Sequence, residues 1–188
     1  TALAQIIFGS CNPSAKLPFS YIQSKNQSPA FSGYKNVNLQ VNYDEGIYVG
    51  YRYHDKQQVK PLYPFGYGLS YTTFSYSNIT AKSIGKNVFE VNVDITNNGT
   101  YDGDEIVQLY LSPKSTNVDR PIKELKAFAR VSLKKGETKT VTMKLNPKSF
   151  SYWDTDSNCW TVDAGTYTVM LGNSSTNMLQ TIEIQCSK

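Results

Sequence analysis

Histidine, cysteine and long apolar runs are scarce in this 188-residue sequence, and each scarcity excludes a class of site. The single histidine, His54, has no second imidazole and no nearby cysteine, so we expect no metal site built on these ligands. No apolar run approaches the roughly 18 residues of a transmembrane helix, and we expect no membrane partner. The three cysteines are an odd number, which leaves at least one outside any internal disulfide.

An excess of charge of one sign is also missing. The sequence has 19 Lys and Arg residues against 15 Asp and Glu residues, and the small excess is dispersed. We therefore expect no nucleic-acid partner. Apolar residues and one glutamate interrupt the densest basic run, which predicts a solvated strand face. The run comprises Lys123, Lys126, Arg130, Lys134 and Lys135.

Aromatic residues are abundant near the middle of the chain. Residues 62–74 hold five of them with two glycines and a proline, a composition that excludes a helix and is too apolar for a solvated linker. Pro64 fixes φ, while Gly66 and Gly68 permit backbone angles or close approaches that a Cβ would forbid. We predict a buried connector whose Phe65 and Tyr67 are largely excluded from water and contact the regions on both sides.

The region before this connector has weaker patterns. Residues 1–9 have the character of the last turns of a helix closed by Gly9, so we expect the chain to continue a longer polypeptide. Residues 23–42 are polar, which predicts an irregular surface loop. Apolar residues alternate between positions 47 and 53, which predicts a strand.

The region after the connector consists of short segments with period-two alternation, separated by turn signals such as Asn98-Gly99 and Lys135-Gly136. One buried face and one wet face per strand is typical of an antiparallel β-sandwich. The residues predicted to face the core are Phe89, Val91, Val93 and Ile95; Val107, Leu109 and Leu111; Val141, Met143 and Leu145; and Tyr167, Val169 and Leu171. The residues between them, including Gln108 and Tyr110, are predicted to face water.

Three ordered blocks of sequence resemble glycoside hydrolase family 3. They are residues 8–18, the connector, and residues 97–110, and the matching region runs from about residue 2 to residue 172. The resemblance implies the C-terminal portion of a family enzyme. Its fold would be mainly β: a fibronectin type III-like (immunoglobulin-like) antiparallel sandwich over residues 75–188, preceded by the tail end of an α/β sandwich domain over residues 1–62, with a connector at 63–74.

Asp44 and Glu45 are the tempting catalytic pair, because glycosidases use two carboxylates across the bond that is cleaved. Adjacent residues on a strand point to opposite faces, so we expect a structural role for both, with Glu45 paired to Arg52. The resemblance places the nucleophilic aspartate and the acid/base glutamate upstream of this chain. No catalytic residue is therefore expected here, and Glu45 is the weak exception.

Sequons and cysteines bear on the compartment. Asn-x-Ser/Thr sequons occur at Asn26, Asn78, Asn98 and Asn173, and we expect glycans at Asn98 and at one or both of Asn78 and Asn173. In an oxidising compartment, Cys159 and Cys186 could form a disulfide, which would leave Cys11 free or paired upstream; three unrelated buried thiols remain an open alternative. The expected location is secreted, extracellular, or lysosomal or vacuolar.

Two remaining motifs fail on inspection. Residues 154–158 imitate the start of a calcium loop, but Cys159 and Gly165 replace its glycine and glutamate, so an exposed interstrand loop is expected. The connector glycines lack the third glycine of a dinucleotide loop. We expect no metal and no cofactor.

The sequence therefore predicts the structural C-terminal part of a retaining, exo-acting β-glycosidase, most simply a β-glucosidase, acting on a β-glucoside or oligosaccharide. Its expected partner is the upstream catalytic portion of the same enzyme, and the chain alone is predicted to be inactive. The alternative is a stand-alone fibronectin type III-like module that binds carbohydrate or protein. An exposed aromatic platform would favour that alternative, and the candidates for it are Tyr152, Trp153 and Trp160.

Overall fold

The computed structural model describes residues 1–33 and 40–187, and its core is a β-sandwich over the last two thirds of the chain. One sheet has three antiparallel strands in the order β1-β2-β5. The other has four in the order β4-β3-β8-β9. The strands are β1 (Phe74–Gly85), β2 (Val88–Asn97), β3 (Gly103–Pro113), β4 (Glu124–Leu133), β5 (Thr138–Leu145), β6 (Tyr152–Asp154), β7 (Cys159–Thr161), β8 (Gly165–Ser174) and β9 (Asn177–Cys186). The predicted fold class is confirmed.

The core lies between the two sheets. The inward positions of β2, β3, β5 and β8 are the alternating residues that the sequence predicted, and all of them are buried. Val91, Val93 and Ile95 have no exposed surface at all. Burial of an aliphatic side chain contributes about 1.5–3 kcal/mol, so these strands carry most of the stabilisation of the fold.

Helix α3 (Pro147–Phe150) links β5 to a small hairpin formed by β6 and β7. Asn146 caps it, because its side chain accepts a hydrogen bond from the Ser149 backbone N–H while the Ser149 hydroxyl bonds back to the Asn146 backbone. Phe150 is fully buried and packs edge-on against Tyr167 at 5.2 Å. The cap and this ring fix where the hairpin leaves the sandwich.

Ahead of β1, the described residues of the chain contain little regular structure. Helix α1 (Ala2–Ile7) ends before Gly9, whose φ of +76° confirms the predicted stop. Short 3₁₀ turns occupy Lys25–Gln27 and Pro29–Phe31 of the predicted loop, and residues 34–39 of that loop lie outside the described residues. An isolated bridge pairs Tyr21 with Tyr63.

The strand predicted between positions 47 and 53 is wrong. Residues 44–47 form a turn, and helix α2 (Tyr51–Gln57) follows. Gly46 and Gly50 have φ of +54° and +57°, and these angles interrupt an extended segment twice within five residues. Alternation over so short a segment did not distinguish a strand from two glycine turns and a helix.

Strand β3 is buried on both faces, which corrects the prediction that Gln108 and Tyr110 face water. They are 3% and 0% exposed. Their side of the sheet is covered by α2 and by the aromatic connector, since Tyr51 packs edge-on against Tyr110 at 5.9 Å. The N-terminal segment therefore docks on the outer face of the four-stranded sheet.

Candidate functional site

The aromatic connector joins the N-terminal segment to the sandwich. Phe65 stacks on Tyr51 with ring centroids 5.0 Å apart, and the Phe65 carbonyl accepts a hydrogen bond from the Ser175 N–H. On the other side, Leu17 and Tyr67 form a backbone hydrogen bond of 2.8 Å. The prediction that the connector contacts both regions is confirmed.

The prediction that Phe65 and Tyr67 are largely excluded from water is wrong. Phe65 and Tyr67 are half-buried, and Tyr63, Leu69 and Tyr71 are 43%, 67% and 45% exposed. The connector runs along the surface with one side against β3, so only that side can be enclosed.

Two close approaches explain the glycines of the connector. The carbonyl of Gly66 accepts a hydrogen bond of 3.0 Å from the buried Gln108 amide, and a Cβ on Gly66 would lie 2.2 Å from the Gln108 side chain. At Gly68, a Cβ would lie 2.4 Å from the Ala15 carbonyl oxygen. Both distances are far below van der Waals contact, so each position requires glycine.

Asn12 fastens the connector through three hydrogen bonds. Its Nδ2 donates to the Asp102 carbonyl at 2.9 Å, and its Oδ1 accepts from the Ser70 hydroxyl at 3.0 Å and the Tyr71 N–H at 2.9 Å. One amide thus joins residue 12, the connector and the β2–β3 turn. Asn12 lies in a sequence block that resembles family 3, but nothing in the pattern of that block predicts this role.

Ion pairs cross the same interface. Lys16 pairs with Glu105 at 3.0 Å, Lys123 pairs with Asp55 at 2.6 Å, and Arg52 reaches Glu124 at 3.3 Å. Each pair joins the N-terminal segment to β3 or to the start of β4, and most of the charged groups have little contact with water. Breaking one such pair leaves an unpaired, poorly solvated charge, which is strongly unfavourable.

These pairs correct two predictions. Arg52 does not pair with Glu45, because α2 directs it towards β4, where Glu124 lies. The basic run is not a uniformly solvated face either, since Lys123 is only 9% exposed and Lys126 is covered beside Glu124 at 3.3 Å. The docked segment covers the start of β4 but leaves Arg130 exposed.

The electrostatics of this cluster follow from burial and pairing. Burial raises the pKa of Asp55, although Lys123 acts in the opposite direction. Burial also opposes ionisation of Glu124, but its cationic neighbours Lys126, Arg120 and Arg52 together outweigh it and lower the pKa of Glu124. Burial lowers the pKa of Lys126.

His54 does not follow a strand, as the strand predicted between positions 47 and 53 would require, but is buried in α2 at 6% exposure. Its Nε2 lies 3.2 Å from the Gln27 carbonyl oxygen, while its Nδ1 has no hydrogen-bond partner among the described residues. It packs the helix against the 3₁₀ turn at residues 25–27.

Asp44 and Glu45 lie in the turn before α2 and line a shallow cleft of about 260 Å³ with Tyr48, Tyr53 and Lys56. Asp44 is exposed and Glu45 is half-buried. Since they lie on a turn, the argument from opposite faces of a strand does not apply. No hydrogen bond or ion pair of either carboxylate occurs among the described residues, so nothing orients the two groups for acid and nucleophile roles.

The cysteines are all free, so the predicted bridge between Cys159 and Cys186 is not formed. Cys159 lies exposed on the β6–β7 hairpin, where its Sγ is 3.2 Å from the Ser157 hydroxyl. Cys186 is buried in the sandwich core, and burial raises the pKa of its thiol to about 11. Cys11 is exposed. The predicted interstrand loop at residues 154–158 is confirmed as the tip of that hairpin.

A second feature is a cleft between the β6–β7 hairpin, residues 118–121 and α2, with a volume of about 600 Å³. We call it the aromatic cleft, because Trp153 and Trp160 line it. The two rings are direct cross-strand partners. Both predicted platform tryptophans therefore lie at one place, and Tyr152 lies beside them.

Comparison with known proteins agrees with this architecture. The sequence model of the glycosyl hydrolase family 3 C-terminal domain matches residues 1–71, and that of the fibronectin type III-like domain matches residues 105–175. The chain belongs to glycoside hydrolase family 3. It corresponds to the C-terminal part of family 3 β-glucosidases, as the sequence blocks implied.

Two relatives illustrate the match. Thermostable beta-glucosidase B of Acetivibrio thermocellus is 41% identical over 181 residues, which are 95% of this chain and 24% of the relative. The exo-alpha-(1->6)-L-arabinopyranosidase of Bifidobacterium breve is 40% identical over 183 residues, 97% of this chain and 24% of the relative. The chain thus spans about a quarter of the length of these relatives.

A solved family 3 structure shows the same relation in three dimensions. The GH3 beta-glucosidase of Bifidobacterium adolescentis superposes with a TM-score of 0.94 at 38% identity, covering 98% of this chain and 27% of that one. Both the N-terminal segment and the sandwich are included in this coverage. The docked arrangement of the two is therefore shared with the family 3 enzyme.

The family 3 domain carries many exposed apolar side chains on its N-terminal segment. Among them, Leu3, Ile7 and Phe8 are 70%, 64% and 85% exposed, and Tyr43 is 84% exposed. Within the described ranges 1–33 and 40–187, no group of His, Cys, Asp and Glu is arranged to hold a metal. No helix in this described part is long and apolar enough to cross a membrane.

Proposed function

We propose that this chain is the structural C-terminal part of a retaining, exo-acting β-glycosidase that removes terminal β-linked glucose. The observation that carries the proposal is the match over nearly the whole chain to family 3 β-glucosidases, including the docked N-terminal segment. Retention through a covalent glycosyl-enzyme intermediate is what the resemblance to family 3 implies.

The upstream catalytic portion is the proposed partner of this chain. The exposed apolar side chains of α1 and of residues 41–49 are the support, since large exposed apolar groups in such number are typical of a protein interface. They also disfavour a stand-alone module, because such a module would expose them permanently to water. The isolated chain is accordingly proposed to be inactive.

A chimera tests the proposal. The C-terminal 181-residue match of thermostable beta-glucosidase B is replaced by this chain, and turnover of aryl β-glucoside is compared with that of the same enzyme lacking the segment. We expect activity in the chimera, none in the truncated enzyme and none in the isolated chain. A Glu45→Gln chimera should match the unmodified chimera.

Two results would contradict the proposal. A soluble, folded chimera without turnover would show that the chain does not serve as this structural part. Turnover by the isolated chain that disappears in Glu45→Gln would place the chemistry at the turn before α2. Retention is checked separately, by NMR of the anomeric proton of the first-formed product.

We also propose a secreted, extracellular, lysosomal or vacuolar protein with glycans at Asn98 and at Asn78 or Asn173 or both. Asn98 is exposed in the β2–β3 turn, and Asn78 is exposed at an irregularity of β1 with a φ of +53°. Asn173 is half-buried, and its amide oxygen accepts a hydrogen bond from Asn177. Peptide mapping after deglycosylation in heavy-oxygen water decides this. Unmodified asparagine at all three sites would remove the support for a secretory route.

A further inference from the structure

The aromatic cleft has the size and concavity of a small-molecule site. Its volume of about 600 Å³ falls in the range of about 300–1,000 Å³ that is usual for ligand pockets. Its walls come from the β6–β7 hairpin, residues 118–121, the start of β4 and the end of α3, and Ile47 and Arg52 complete them from the N-terminal segment. The Arg120 guanidinium closes its base, since it donates to the Phe150 carbonyl at 3.0 Å and to Glu124 at 3.0 Å.

The two tryptophans present large apolar surfaces in this cleft. Trp153 and Trp160 are 48% and 59% exposed, with ring centroids 5.7 Å apart and an interplanar angle of 80°. As a cross-strand pair they stabilise the hairpin by roughly 0.2–1 kcal/mol, which does not require such exposure. Perpendicular rings offer a ligand one face and one edge side by side.

The charges around the cleft balance. Among the described lining residues, four are cationic and four are anionic: Arg52, Arg120, Lys126 and Lys148 against Asp119, Glu124, Asp154 and Asp156. Glu124 is already paired with Arg120 and Lys126, so little net field remains at the base. A site for an anion or a cation concentrates one sign of charge, and this cleft does not.

We propose that the aromatic cleft binds a neutral oligosaccharide. The C–H faces of a pyranose ring carry partial positive charge and pack against the negative face of an indole. Sugar hydroxyls both donate and accept, so a rim of mixed charge satisfies them. Two groups are placed for this: the exposed Asp156 carboxylate, and the Lys148 ammonium 5.6 Å from the centre of the Trp160 ring.

Tryptophan fluorescence tests this binding selectively, because the chain has only two tryptophans and both line the cleft. The 188-residue chain is titrated with cellotetraose and with laminaritetraose, and tetragalacturonate serves as the charged control. We expect a saturable change with at least one neutral tetrasaccharide and none with the uronate. The affinity of the chain for the neutral tetrasaccharide should be the same at low and high salt, since that ligand is uncharged.

Matched variants locate the site. Trp160→Ala should weaken association by about tenfold, whereas Phe128→Ala, which removes a 70% exposed ring on β4 outside the cleft, should leave it unchanged. Because Trp160→Ala could unfold the hairpin, the unmodified chain labelled with ¹⁵N-tryptophan gives a second measurement. Both indole N–H signals should shift on addition of the bound tetrasaccharide.

The proposal is overturned if neither neutral tetrasaccharide changes the fluorescence or shifts the indole signals. It is equally overturned if Trp160→Ala, shown to be folded by its thermal transition, binds as well as the unmodified chain. The measurement is of binding to this chain, so it does not depend on turnover by the chimera. Either proposal can therefore fail while the other holds.

Discussion

Gly66 shows two constraints acting on one residue. Its φ of +78° lies in the left-handed region, and a Cβ there would meet the Gln108 amide at 2.2 Å. The amide cannot move aside freely, since Gln108 is 3% exposed and also donates to the Asn173 carbonyl and accepts from the Tyr110 hydroxyl. Strain and lost hydrogen bonds should therefore add.

We expect Gly66→Ala to lower the free energy of unfolding by about 2–4 kcal/mol, because it combines a left-handed alanine with disruption of a buried hydrogen-bond network. Gly136→Ala is the matched control. Gly136 has a φ of +75°, but no atom lies within 4 Å of the position a Cβ would occupy, so only about 1–2 kcal/mol should be lost. Urea unfolding measures both, and equal losses would refute the role of the Gln108 contact.

Glu124 is the centre of the charge cluster between α2 and β4. Its folded-state pKa is lowered from the ordinary value of 4.5, so the unfolded chain binds more protons in the interval between the two values. Stability from this group is therefore present above about pH 4.5 and is lost as the pH falls through the folded-state pKa.

We expect Glu124→Gln to lower the free energy of unfolding at pH 7 by up to about 3 kcal/mol, because three cations lose their common partner. The loss should shrink as the pH falls below 4.5, where the native glutamate also becomes protonated. Glu183→Gln removes an exposed pair with Lys114 and should cost less than about 1 kcal/mol. Thermal unfolding from pH 3 to pH 7 compares them, and a pH-independent loss would contradict the assignment.

Among the elements, the connector carries the contact between the two parts of the chain. Its aromatic rings are half-buried, and its backbone is tied to Leu17 on one side and to Ser175 on the other. A partly exposed ring loses less on truncation than a fully buried one. Truncating an aromatic side chain of the connector should therefore cost less stability than truncating a core residue of a strand.

We expect Phe65→Ala to lower the free energy of unfolding by about 1.5–3 kcal/mol, from lost burial and the lost stack on Tyr51. Leu69→Ala, which truncates a side chain 67% exposed on the same connector, should change it by less than about 0.5 kcal/mol. Denaturant midpoints and trypsin cleavage between residues 60 and 75 report the effect. Equal stability of the two variants would mean that the connector is not a packed joint.

At the scale of the whole molecule, the sandwich has a core of its own, whereas the described residues of the N-terminal segment form none. No residue of α1 is buried, and α2 buries only His54. By contrast, the cluster of buried apolar residues begins at Tyr76 and ends at Cys186. The segment thus depends on the sandwich for its order.

We expect residues 74–187 to fold alone with a cooperative transition at a lower temperature than that of the whole chain. Removing residues 1–73 exposes Tyr110 and leaves Lys123 and Glu105 without their partners. Calorimetry of the two chains measures the difference in transition temperature. A Lys123→Met change in the shortened chain should recover part of the lost transition temperature, because it removes a charge that no longer has a partner. A shortened chain without a cooperative transition would show that the sandwich is not autonomous.

The sandwich could be predicted from the sequence because its strands alternate strictly. Each inward residue is apolar because it packs in the core between the two sheets. The same rule failed for Gln108 and Tyr110, whose outward positions are buried by a segment more than forty residues away. It also failed between positions 47 and 53, where glycines with positive φ outweigh four alternating apolar residues. The period-two pattern of a strand shows which of its faces packs in the core. It does not show whether a distant segment of the chain covers the other face.

The sequence by itself determined the family, the antiparallel sandwich, the helix stop at Gly9 and the need for glycine in the connector. These depend on local patterns and on backbone angles that few residues adopt. Only the tertiary structure decided that Arg52 pairs with Glu124, that Asn12 fastens the connector, that Cys159 and Cys186 stay apart and that two tryptophans share a cleft. Each of these depends on distances between segments far apart in the chain, which are fixed by packing of the whole and leave no periodic trace in any one segment.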